Sequence, residues 1–246
     1  MQKSNMRQSH ESGFTLVELA IVMLIIGLLV GGVLKGQEMI ESARVSSTIQ
    51  ALESYDAAFN TYRDRYAGIP SDLQNPGDRI PNCTGSCASS DATPGNQQLA
   101  QDVGSAITDD GAAFWAQLSA SGLIKGAAQE PDTGTFIIGE AAPEADVGGG
   151  FIVGCNDCED TGDAGTTGIK TSQHYIFIVQ DINADMGPGN APMTAAQASQ
   201  VDRKLDNGNP ETGSVIAPNQ AECANAPNYN TANTDTQCSV YKETIN

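Results

Sequence analysis

The 246-residue sequence predicts an α+β fold: a long N-terminal α-helix laid against an antiparallel β-sheet in an outer head. Three observations predict it. An apolar run at 14–34 is long enough to cross a bilayer. A helical apolar stripe continues from it to Tyr66. Beyond that, short strand-like and helix-like segments are separated by stretches rich in Gly, Pro, Asn and Asp. The expected divisions are a leader at 1–13, a membrane-spanning helix at 14–34, its amphipathic continuation at 35–66, and a globular head at 67–246.

Residues 14–34 read FTLVELAIVMLIIGLLVGGVL, 21 residues with Glu18 as the one charge. At 1.5 Å per residue such a helix spans roughly 31 Å, about one bilayer core. Lys3 and Arg7 precede it, which places 1–13 in the cytoplasm and the head outside. A secretory signal needs a shorter run and a small-residue cleavage site after it, and neither is present. A plain anchor leaves Glu18 unexplained, because a bare carboxylate inside the membrane costs at least ~2.5–3.5 kcal/mol.

From 35 to 66 the pattern changes. Val45, Ile49, Leu52, Tyr55, Phe59, Tyr62 and Tyr66 recur at steps of three and four, one stripe of a helix, while Glu41, Arg44, Glu53, Asp56, Arg63 and Asp64 take other faces. No proline occurs before Pro70, so a single helix of roughly 80 Å from Phe14 to Tyr66 is allowed, and Gly68 with Pro70 ends it. The stripe is expected to pack on a sheet. Gly27, Gly31, Gly32 and Gly36 each weaken the helix by about 1 kcal/mol relative to Ala. They serve either close helix approach or local melting when the chain leaves lipid.

The run Gly13-Phe14-Thr15-Leu16-Val17-Glu18, behind a short basic leader and before an unbroken apolar helix, resembles the processing signature of type IV pilins and type II secretion pseudopilins. The resemblance is close over about 13–73. It implies that a prepilin peptidase cuts between Gly13 and Phe14 on the cytoplasmic side. It also implies that Phe14 is then N-methylated, and that Glu18 pairs with the Phe14 amine of a neighbouring subunit. An unpaired buried carboxylate is costly, so such a pair selects one axial stagger of subunits more than it adds stability.

In the head, a helix is expected at 109–121, capped by Asp109 or Asp110 and stopped by Gly122, with Trp115 in the core. A second is expected at 195–205, where Thr194 and Gln197 form a capping box and Asn207-Gly208 closes it. Strands are expected at 135–138, 150–153, 173–180 and 214–217. Both faces of 173–180 are largely apolar, which makes it central. The segment 69–101 reads as a loop and the stretch beyond Ala217 as irregular.

Six cysteines, Cys83, Cys87, Cys155, Cys158, Cys223 and Cys238, fall in the exported region, where an even count points to disulfides. Nearest-neighbour pairing is the simplest of the 15 connectivities. A redox CxxC or a zinc site at Cys155 and Cys158 is the alternative, but the motif sits in a Gly/Asp loop. The 223–238 pair would match the C-terminal loop bridge of many pilins. Asp181, Asn183 and Asp185 have the 1,3,5 oxygen spacing of a calcium loop, without the Gly and Glu of an EF-hand. Asp157, Glu159, Asp160 and Asp163 form a second acidic loop, and a solvated acidic surface is the simpler reading of both. No other cofactor is expected.

Acids outnumber bases 30 to 12, for a net charge of −18. After Tyr66 the counts are 23 and 6, so that stretch alone carries −17. Such a surface repels phosphate, and direct nucleic-acid binding is not expected. No P-loop or dinucleotide fingerprint occurs, and His174 is the one histidine after residue 13, in an expected strand, so no enzyme is expected.

By resemblance, then, the chain is a structural prepilin. It waits in the bacterial inner membrane with its head outside, and is built by an assembly platform into a cell-surface or periplasmic filament of its own copies. The other readings are a type II secretion pseudopilin and a membrane-tethered periplasmic module for a cation or small ligand.

Overall fold

The computed structural model describes residues 14–90, 93–103, 105–125, 127, 136–156, 170, 173–185, 190–217, 222–225 and 227–244. The chain divides into two compact units, Met1–Ala43 and Arg44–Asn246. Helix α1, Leu16–Tyr66, runs for 51 residues. In the first unit its large apolar side chains are exposed all round: Leu16 87%, Met23 72%, Leu24 70% and Leu28 75%. It is long and apolar enough to cross a membrane.

The second unit has a conventional core. The α1 stripe is buried at Val45, Ile49, Leu52, Phe59, Tyr62 and Tyr66. Its aromatic part meets helix α3, Asp109–Ala120, as well as the sheet. Tyr55 stands edge-on to Trp115 and to Phe151, both at 5.1 Å between ring centroids, and Phe59 stacks on Phe114 at 5.9 Å. The expectation of a stripe lying on a sheet is thus half the answer. Phe114 and Trp115, adjacent on α3, reach it too, and Trp115 is fully buried.

The segment 69–101 carries a short helix α2, Pro76–Arg79, and a 3-10 turn, Gly85–Ala88. Ile69, Leu73, Ile80 and Leu99 anchor it in the core. The Asp72 carboxylate accepts the backbone N–H groups of Gly95, Asn96 and Gln97. The buried Gln117 amide ties the segment down. Its Oε1 accepts from Tyr62 Oη and Ser71 N, and its Nε2 donates to the carbonyls of Cys87 and Ser89.

The sheet comprises β1 (Gly150–Asn156), β2 (Gln173–Val179), β3 (Val215–Ile216) and β6 (Tyr241–Glu243). Their order is β1-β2-β6-β3, with every pair antiparallel. β2 is flanked on both sides, as its two apolar faces predict. β1 runs on to Asn156, three residues past expectation. Gly154 admits a close crossing, since a Cβ there would lie 2.9 Å from the Asp102 backbone. Helix α4, Ala195–Leu205, has the expected capping box, with Gln197 N donating to Thr194 Oγ1 and Thr194 N to Gln197 Oε1.

Three expectations are corrected. Residues 136–138 form no strand, and Thr135 lies outside the described residues: Gly139, at φ +88°, turns the chain, and among the described residues Ile138 bridges only Ala142. The N-cap of α3 is Thr108, and Asp109 and Asp110 sit in its first turn, beside the positive end of its dipole. Among the described residues, the stretch after Ala217 is not irregular. It holds a hairpin of β4 (Ala224–Asn225) and β5 (Asn228–Tyr229), and then β6.

Candidate functional site

The start of α1 is built from two local facts. Thr15 precedes the first helical residue, and Glu18 is three residues on, so the pair forms a capping box. Thr15 N and Thr15 Oγ1 both donate to Glu18 Oε2 at 2.8 Å, and Glu18 N donates to Thr15 Oγ1 at 3.3 Å. The carboxylate in the apolar run therefore satisfies its own helix end, which lowers the cost of carrying it into lipid. Phe14, ahead of the cap, is 83% exposed. Gly13 lies outside the described residues. The sequence expectations give Thr15 no role, although a Thr-x-x-Glu ahead of an apolar run is a legible signal.

Past the cap, Leu16, Val17, Leu19, Ile21, Val22 and their successors to Leu34 expose apolar surface on every face of the helix. A helix apolar all round is stable only in lipid or among other helices. Beyond it, Lys35 Nζ and Glu38 Oε2 form an exposed pair at 2.7 Å.

The other expected site residues are dispersed. Cys83–Cys87 and Cys223–Cys238 are disulfides, each with Cα atoms 5.1 Å apart. Cys155 is also disulfide-bonded, while Cys158 lies outside the described residues. Asp181 Oδ1 accepts from Asn183 N and Nδ2, Asn183 Nδ2 also donates to Phe136 O, and Asp185 Oδ1 accepts from Ala106 N. These groups thus spend polar atoms on the loop itself. Among the described residues no cluster of three or more His, Cys, Asp or Glu could hold a metal ion. Asp157, Glu159, Asp160 and Asp163 lie outside the described residues.

His174 is buried on β2, paired in register with Cys155. Its carbonyl accepts from Thr244 N and Oγ1, and its Nε2 has no hydrogen-bond partner among the described residues. Burial pushes its pKa down to about 4. A buried neutral imidazole on a sheet fills the core.

The segment that remains, with a capped carboxylate and a naked apolar helix, is also where a comparison succeeds. Residues 8–34 match the family model of the prokaryotic N-terminal methylation motif. They carry the type IV pilin and pseudopilin signature. The pilin signature and the α+β layout together describe a type IV pilin- or pseudopilin-like protein. No curated protein and no solved structure matches the chain.

Proposed function

We propose that this chain is a prepilin, the structural subunit of a type IV pilus-like filament. The leader at 1–13 is removed by a prepilin peptidase that cuts after Gly13, and the new amine on Phe14 is methylated. The subunit then rests in the inner membrane through 14–34, with the acidic head at 67–246 and the helix at 35–66 on the outer side. An assembly platform draws subunits out of lipid into a bundle of α1 helices. There the Glu18 carboxylate exchanges its Thr15 contacts for the Phe14 amine of a neighbour, and this exchange sets the stagger. The chain performs no catalysis in this reading.

The observation that supports it is the join of the Gly13–Glu18 motif to a helix whose apolar side chains are exposed on every face. The size of the head and its disulfides support an exposed surface filament over a secretion pseudopilus. Mass spectrometry of native material should find N-methyl-Phe14 as the first residue. Glu18→Ala should leave that processing intact and cut filament number by at least about ten-fold, since it removes one partner of a buried ion pair. Normal filaments from the variant, or a retained Met1, would refute the proposal.

A further inference from the structure

Asn207-Gly208 is the one Asn-Gly pair in the sequence, and it lies just past the end of α4. Gly208 has φ +77°, and a Cβ there would lie 2.6 Å from Arg203 Cγ, so the turn requires glycine. With no side chain beside it, the Gly208 nitrogen is open to react with the side chain that precedes it.

The contacts around this pair match the parts of one reaction. Gly208 N donates to Asp202 Oδ1 at 2.9 Å. Asp202 is fully buried, and its other oxygen accepts from Tyr229 Oη at 2.9 Å. Asn207 Oδ1 accepts from Asn209 N at 2.7 Å. Asn207 Nδ2 donates to the carbonyl and to the hydroxyl oxygen of Thr212, each at 3.1 Å. Asn207 itself is exposed to water. A side-chain oxygen on the N–H two residues further along is an ordinary turn. The buried carboxylate on the intervening nitrogen is no part of such a turn. It stands where a base would take the Gly208 proton, with a donor on the Asn207 carbonyl oxygen and a hydroxyl beside the nitrogen that would leave.

We propose that Asn207 is a self-modification site: the Gly208 nitrogen closes on the Asn207 side chain, ammonia leaves, and water opens the ring to an acid. Asp202 takes the proton from Gly208 N as that nitrogen bonds to Asn207 Cγ. The charge that develops on Oδ1 meets the Asn209 N–H. The Cγ–Nδ2 bond then breaks, and Nδ2 gains one proton through Thr212 Oγ1, which solvent restores from Asp202. One water added to the cyclic imide gives aspartate or its β-linked isomer at position 207. Nothing is oxidised or reduced, and polymerisation plays no part. The product alters the loop. An ionised acid at 207 has no proton to offer Thr212 O, and it adds charge beside Asp206. Asp206 Oδ2 holds the N–H groups of Ser214 and Val215, at the start of β3. The conversion therefore loosens the β3 edge as a subunit ages, so that old and new heads differ.

The test follows the mass of the peptide containing residue 207 over time. It uses the full chain in detergent, both folded and unfolded in guanidinium with its disulfides intact. The folded chain should convert at least about ten-fold faster than the unfolded one. Burial raises the Asp202 carboxyl pKa, Gly208 N and the Tyr229 hydroxyl lower it, and Asp206 raises it. Once Asp202 is ionised the folded rate should level off with pH, whereas the unfolded rate should keep rising with hydroxide. Asp202→Asn and Thr212→Val should each slow the folded chain about ten-fold, with the cysteines still protected from alkylation. If Asp202→Asn exposes the cysteines, Thr212→Val, at an exposed side chain, decides. Asn207→Asp, which carries the product's charge, should lower Tm. Conversion no faster in the folded chain than in the unfolded one, or a folded rate that climbs with hydroxide throughout, overturns the assignment and makes these contacts a protective turn.

Discussion

The two halves of α1 obey the same helical geometry and meet opposite environments. From Leu16 to Leu34 the apolar residues lie on all faces, and every large one is exposed. From Val45 to Tyr66 they form one stripe, buried except at half-buried Tyr55, with Tyr55 against α3 and β1 and Phe59 against α3. The difference shows where each half gets its stability. The second is held by its own chain, and the first waits for lipid or for other helices. Substitutions should therefore separate the halves cleanly.

The largest contrast is between Phe59→Ala and Leu29→Ala. Phe59 is 1% exposed and stacked on Phe114, so its loss should destabilise the head by about 3–5 kcal/mol in denaturant unfolding. Leu29, 61% exposed, should leave head stability unchanged and alter only assembly. Equal losses from both would break the comparison.

Acid should weaken the head through His174. Its imidazole titrates at about 4 when folded against 6.5 as the ordinary value. Between those values the unfolded chain holds a proton that the folded chain does not. Stability is therefore complete above about pH 6.5 and declines as pH falls towards 4, by up to roughly 3 kcal/mol. Asp72 and Asp202 oppose this, since burial raises their carboxyl pKa values, and the stability they lend at low pH is lost as pH rises through those values. Melting curves at pH 7 and pH 4.5 for wild type and His174→Gln should isolate the imidazole, with the variant showing the flatter dependence. An identical slope in both would remove His174 from the account. The smallest effect sharpens the picture of local signals: Thr194→Ala should cost about 1 kcal/mol by deleting the α4 capping box.

Much of this architecture is legible in the amino-acid sequence. Steps of three and four mark the buried face of α1, Thr194 and Gln197 mark the start of α4, and two apolar faces mark β2 as interior, because each signal is local. The illegible part is non-local. β6 has three residues and belongs in the sheet only because β2 and β3 flank it. Cys238, just upstream, pairs with Met193 in an isolated bridge and with Cys223 in a disulfide. No periodicity can announce a strand whose partners lie so far away. At the N-terminus, Glu18 stands out as an anomaly, while its pairing with Thr15 is masked by the larger question of what a carboxylate costs in an apolar run. Residues 136–138 mislead because β-branched and aromatic side chains suggest a strand whatever follows, and Gly139 then reverses the chain.

The position of β6 has a consequence for how the head matures. Its two neighbours are synthesised first and must wait, β2 with one edge bare and β3 with both, until the segment around Tyr241 follows. Until then β3 has no sheet neighbour, and the Phe177–Tyr241 ring stack is missing. Bare edges of that kind are templates for pairing with another chain, so the late arrival of β6 is the step that covers them.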